Sequence, residues 1–127
     1  MRFLLILALL LTACSGDKGD IADVLEARDN AISQRNIEAY ASLLSTGYLN
    51  TAGIAKVEEM KAIFQRFENV EMTSRDREIR ILDETSAICE QTYLLRVFAD
   101  KQWREVVQRE QLKLTHSDGH WKISGGL

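Results

Sequence analysis

Apolar residues recur at helical spacing through the first half of the chain and alternate through the second. Ile21, Val24, Leu25, Ala31 and Ile32 fall on one stripe, opposite Asp23, Glu26, Asp29 and Asn30. Asp20 stands just ahead of that stripe, where a carboxylate can accept the orphan amide hydrogens of a first turn, so a helix is expected behind it. Asn36 is a second candidate N-cap, and Ile37, Tyr40, Leu43 and Leu44 continue the stripe over a shorter helix that Gly47 should end. A third helix is expected from about Ile54, burying Val57, Met60, Ile63, Phe64 and Phe67 and turning Lys56, Glu58, Glu59, Lys61 and Arg66 to solvent. Residues 46–53 show little periodicity, which predicts a turn with one short extended piece around Tyr48 and Leu49.

From Val70 onward the period is two, and the breaks at Asp83-Glu84, Asp100-Lys101 and Asp118-Gly119 divide the stretch into four strands. One face should carry Ile79 and Ile81 from the first strand, and Ala87, Cys89, Gln91, Tyr93, Leu95 and Val97 from the second. The third strand adds Val106, Gln108, Glu110, Leu112 and Leu114, and the fourth Trp121 and Ile123. Asp118-Gly119 suits a two-residue hairpin turn, whose central positions both need positive φ, so the last two strands should be neighbours. The mixed charges of Arg75, Asp76, Arg77, Glu78 and Arg80 suit a sheet edge that must not pair further. Helices followed by a meander predict an α+β domain, three helices packed on a curved antiparallel sheet of about four strands.

Ahead of these elements, Arg2 precedes an unbroken apolar run from Phe3 to Leu11, and the run closes on Leu11-Thr12-Ala13-Cys14. This arrangement resembles the lipobox of bacterial lipoproteins. The resemblance implies a signal peptide at residues 1–13, cleavage before Cys14, lipidation of Cys14, a short tether at residues 14–19 and a domain at residues 20–127. The lipid on Cys14 would be the membrane contact. With serine after the cysteine, the family's sorting rule points to the outer membrane, facing the periplasm, in a Gram-negative host. A transmembrane reading of the run fails on length: nine apolar residues give roughly 14 Å of helix against a hydrocarbon core of about 30 Å.

Composition narrows the classes. About 114 residues remain after such cleavage, the size of one domain. The formal net charge of -3 gives no basic excess for nucleic acid or for anionic lipid. With Cys14 taken by lipid, Cys89 has no intramolecular partner, and its apolar neighbours make it a small core residue.

The three helices, the helix from Lys56 to Phe67 feeding a long strand, and the closing Asp118-Gly119-His120-Trp121-Lys122-Ile123 hairpin together resemble the NTF2-like superfamily, which includes the SnoaL and ketosteroid isomerase families. The likeness runs from about Asp20 to Ser124 and implies a cone whose helices and sheet enclose a pocket. The isomerases' catalytic tyrosine and aspartate do not carry over, because residues 20–34 hold no tyrosine and residues 46–53 no acid.

Gln91, Tyr93, Gln108 and Glu110 are the polar residues predicted to face inward, and they are the candidate ligand-binding set. Buried polar groups require partners, so they either satisfy one another or meet a ligand. Glu110 is the candidate base, with Tyr93 or Tyr48 as hydrogen-bond donor. His116 and His120 flank a turn with too few further ligands for zinc, and neither a metal nor a cofactor is expected. Three readings follow: a non-enzymatic, lipid-anchored module binding a small apolar ligand or a protein; a SnoaL-type isomerase or hydrolase using Glu110; and a structural envelope component that forms a homodimer through the sheet.

Overall fold

The computed structural model describes the backbone from Leu11 to Leu127 and side chains from Gly16 onward. The leader expected over residues 1–13 falls, up to Leu10, outside the described residues, as does the side chain of Cys14. Helix α1 (Leu11–Ser33) is followed by α2 (Ile37–Ser42), a single turn α3 (Thr46–Tyr48), a kinked segment (Leu49–Gly53) whose Thr51 backbone is not helical, and α4 (Ile54–Arg66). Four strands follow: β1 (Asn69–Ile81), β2 (Ser86–Ala99), β3 (Gln102–Ser117) and β4 (His120–Gly125). They pair antiparallel in the order β1-β2-β3-β4. No described helix is long and apolar enough to cross a membrane.

The expected stripe of α1 is its buried face: Ile21, Leu25, Ala31 and Ile32 are all in the core. Two details differ. Residues 15–19, expected as a loose tether, continue α1, and Asp20 is therefore inside the helix and not its cap. No proline interrupts the segment, and the roughly 1 kcal/mol that each of Gly16 and Gly19 costs a helix is small against the packing that begins at Ile21. Asp29, expected on the solvent face, is half-buried and accepts a hydrogen bond from Ser74 Oγ at 3.1 Å.

Asn36 caps α2 as expected, its Oδ1 accepting from Ala39 N at 3.0 Å. The helix ends earlier than Gly47 would have ended it, at Ser42. The extended piece expected around Tyr48 and Leu49 is helical instead. Ser45 Oγ accepts from Tyr48 N at 3.2 Å, and Thr51 Oγ1 donates to the carbonyls of Gly47 and Tyr48, both at 3.1 Å, so local side-chain bonds wind this segment. Gly53 closes it against the Tyr48 ring, which a Cβ there would strike. The extended backbone lies just upstream: Leu44 forms a parallel bridge to Ile123.

The strand phases agree with the alternation. Cys89 pairs Leu112, Gln91 pairs Glu110, Tyr93 pairs Gln108, and Leu114 pairs Ile123, so these residues share the helix-facing side. Both two-residue turns have positive φ at their two central positions, Asp100 and Lys101 at 53° and 64°, Asp118 and Gly119 at 54° and 79°. Strand β1 contains a bulge: the register shifts between Arg75 and Glu78, so Asp76 and Arg77 together oppose Gln91. Before the bulge Val70 and Met72 face the helices; after it, Ile79 and Ile81 do. Arg109 Nη1 donates to the Asp76 carbonyl at 2.7 Å and holds the bulge in place.

Candidate ligand cavity

A cavity of about 500 Å³ opens between α1, α2, α4 and the middle of the sheet. Its walls are Ile32, Met60, Ile63, Met72 and Leu95, and its polar floor is formed by Arg28, Tyr40, Tyr93, Gln108 and Glu110. At the mouth Lys56 Nζ pairs with Glu59 at 3.3 Å. The volume is in the range of small-molecule sites.

Arg28 occupies the apolar stripe of α1, three residues after Leu25 and four before Ile32, so the helix drives its guanidinium inward. Only 2% of its side chain is exposed. Its Nη1 donates to Glu110 Oε1 at 3.1 Å and its Nη2 to Glu110 Oε2, a two-point ion pair from helix to sheet. Burial works against the Arg28 charge, but the hydrogen bond and charge of Glu110 outweigh it and hold the guanidinium above its usual range.

Behind the pair lies Gln91, with no exposed surface. Its Nε2 donates to Glu110 Oε2 at 2.8 Å, and its Oε1 accepts from Arg77 Nε at 2.7 Å. The bulge makes this possible, because the extra residue swings Arg77 from the edge pattern onto the helix-facing side. Asp29, beside Arg28, has its carboxyl pushed above the usual carboxylate range by burial, against the opposing pull of Ser74 and of the Arg28 and Arg77 charges.

On the cavity side, Tyr93 Oη donates to Gln108 Oε1 at 2.7 Å. The Tyr40 ring is buried, and its hydroxyl has no hydrogen-bond partner among the described residues. Burial pushes that hydroxyl up to about 12, so it is an O–H donor throughout the physiological range.

Of the residues singled out from sequence, Tyr93, Gln108 and Glu110 line the cavity. Gln91 supports it from behind. Tyr48 is elsewhere: buried, it lines a separate hydroxyl-rich groove with Ser45, Thr115 and Lys122. Sequence reasoning missed Arg28, Tyr40 and Arg77. The first had a legible signal, an arginine at a core position of an amphipathic stripe. Cys89 is fully buried and its thiol is pushed up to about 11 by burial, which leaves it an inert packing residue. The His116 ring meets Trp121 at a tilt of 54°, with ring centres 5.1 Å apart.

Chemically, the floor is a closed charge system. Both oxygens of Glu110 accept hydrogen bonds from Arg28 or Gln91, three in all, which leaves about one of the carboxylate's acceptor sites facing the cavity.

No known protein-family model matches the sequence, and no curated protein matches it. Solved structures do. A protein from Novosphingobium aromaticivorans named as a candidate scytalone dehydratase is similar with a TM-score of 0.75 at 16% identity, over 90% of this chain and 83% of its own. A candidate dehydratase of the NTF2-like family from Streptomyces avermitilis is similar at 0.72 and 12%, over 88% and 94%. A protein of cystatin-like fold from Caulobacter vibrioides is similar at 0.70 and 16%, over 86% and 85%. At these identities the likeness establishes the fold alone. The chain has the NTF2-like fold, an α+β architecture with helices on one side of a four-stranded antiparallel meander.

Proposed function

We propose that this chain is a lipid-anchored envelope protein whose NTF2-like domain holds a small, largely apolar ligand without transforming it. The observation that carries the binding role is the pairing at the cavity floor. The carboxylate that would serve as base, Glu110, is bound at two points by Arg28 and at a third by Gln91, while the walls around it are aliphatic and thioether side chains. Such an arrangement fixes shape and polarity and leaves no free acid–base pair at the floor. The anchor rests on the Leu-Thr-Ala-Cys stretch, and places the domain at the membrane through acyl chains worth about 0.8 kcal/mol per buried methylene. In a Gram-negative host Ser15 favours the outer membrane, facing the periplasm.

A homodimer through the sheet is a second element of the proposal. Trp103 and Val107 lie on the side of β2–β3 away from the helices and remain 39% and 52% exposed, and they are the apolar groups that a second copy would cover on that face.

Two measurements test this. Fractionation of cells carrying Cys14→Ser should find the chain unprocessed or released from the membrane; processed and still membrane-bound protein would refute the anchor. Native mass spectrometry of the full-length chain should find a retained small molecule, and the mass of the complex reports one copy or two.

A further inference from the structure

The cavity floor combines two properties. Its buried charges cancel, Arg28 against Glu110, and the paired Lys56 and Glu59 cancel at the mouth, where the exposed Arg109 is turned to the β1 bulge. Its unused hydrogen-bonding capacity is weighted toward donors. Among the described residues the Tyr40 O–H and the buried Arg28 Nε are unpartnered, and the Gln108 amide, exposed at the open side of the floor, has its oxygen occupied by Tyr93 and its N–H groups free of protein partners. A carboxylate entering this floor would stand beside Glu110, and the cations that line the cavity are already engaged, Arg28 by Glu110, Lys56 by Glu59, and the exposed Arg109 by the Asp76 carbonyl and the Thr92 hydroxyl. An ammonium would stand beside Arg28 and face donors. A neutral oxygen can accept from Tyr40 and Gln108 while its apolar body fills the space between Met60, Ile63 and Leu95.

We infer that the cavity selects uncharged apolar molecules bearing a hydrogen-bond-accepting oxygen, such as ketones and alcohols, over acids and amines of the same length, and that the Arg28–Glu110 pair is the element that enforces the choice. This rests on the ligand-binding reading above and adds the chemical class. Glu110 acts here by holding the Arg28 charge closed, so it positions and neutralises and takes no part in a reaction. Tyr40 supplies the contact to the ligand oxygen.

The test is calorimetric titration of the full-length chain in nanodiscs, with empty nanodiscs as blank, using 2-octanone, octanoate and octylamine at pH 7. The ketone should bind at least about tenfold more tightly than either ion. Glu110→Gln keeps the shape and the Gln91 contact but uncovers the Arg28 charge, so it should reverse the order and make octanoate the tightest of the three. Tyr40→Phe should weaken 2-octanone about fivefold without raising octanoate. Octanoate binding as tightly as the ketone in the unmodified chain, or an order unchanged by Glu110→Gln, would overturn the inference while leaving ligand binding intact. Should Glu110→Gln not fold, the unmodified panel and Tyr40→Phe decide the matter. Failure of all three probes to bind would instead remove the ligand-binding reading, and this inference with it.

Discussion

Arg28 and Glu110, 82 positions apart in the chain, meet in a two-point ion pair that joins α1 to β3 at the floor of the cavity. Neither residue has another route to neutrality, since Arg28 is almost wholly removed from water and Glu110 nearly so. The pair therefore behaves as a unit: breaking it leaves an uncompensated buried charge, whereas removing both ends does not.

Arg28→Met should consequently cost about 3 to 5 kcal/mol, and Glu110→Leu a similar amount, but the double variant should lie within about 2 kcal/mol of the original, the remainder being the hydrogen bond that Gln91 loses. Urea melts of the four proteins give the coupling directly. Additive losses would mean that the two side chains are independently solvated.

Asp29 should make stability depend on pH. Its folded carboxyl is raised by burial, so the folded chain holds that proton more tightly than the unfolded chain. Stability from this group is present in full below the unfolded value near 4 and is lost as pH rises through the raised folded value. Asp29→Asn, which still accepts from Ser74, should raise the melting temperature at pH 7 and leave it nearly unchanged at pH 3. An equal effect at both would show the carboxyl to be unperturbed.

Trp121 is 3% exposed, and its indole Nε1 has no partner among the described residues. Trp121→Ala should cost about 3 to 5 kcal/mol through the cavity it leaves. Trp121→Phe should cost less than about 2 kcal/mol, because it keeps most of the ring volume and removes an unsatisfied donor. Denaturant melts that rank the two variants the other way would mean the N–H is satisfied.

Asp100 and Lys101 both hold positive φ without a glycine between them. Relieving that backbone with Lys101→Gly should stabilise the β2–β3 hairpin by about 0.5 to 1 kcal/mol, since glycine enters this region without steric cost. A loss of stability on thermal melting would show that the Lys101 side chain makes a contact outweighing the strain.

How much of this was legible in the sequence divides along physical lines. The sheet was, because alternation fixes which residues share a face: Gln91 with Glu110 and Tyr93 with Gln108 follow from period two once Asp100-Lys101 is recognised as a two-residue turn. The apolar faces of α1 and α4 were legible for the same reason at period 3.6. The segment from Thr46 to Gly53 was not. Its helical winding comes from the hydroxyls of Ser45 and Thr51, which bond locally, and hydrophobic periodicity carries no trace of such bonds. Tyr48 was consequently expected near the polar set and instead lines a different groove. Arg28 was hidden by its own chemistry: a charged residue on an apolar stripe reads as an interruption until its partner, on a strand distant in sequence, is known.

The bulge opposite Gln91 divides β1 into two halves that obey opposite alternations. Val70, Met72 and Ser74 point toward the helices by even numbering, Arg77, Ile79 and Ile81 by odd. Loss of the extra residue at Asp76 would therefore restore one uniform alternation with Ile79 and Ile81 still on the core side, whereas loss of a residue on either side of the bulge would turn the shortened half over and expose its apolar positions along an open sheet edge. The bulge is thus the one place where β1 can lose a codon and keep both of its apolar halves facing the core, at the expense of the Asp76 carbonyl that Arg109 holds.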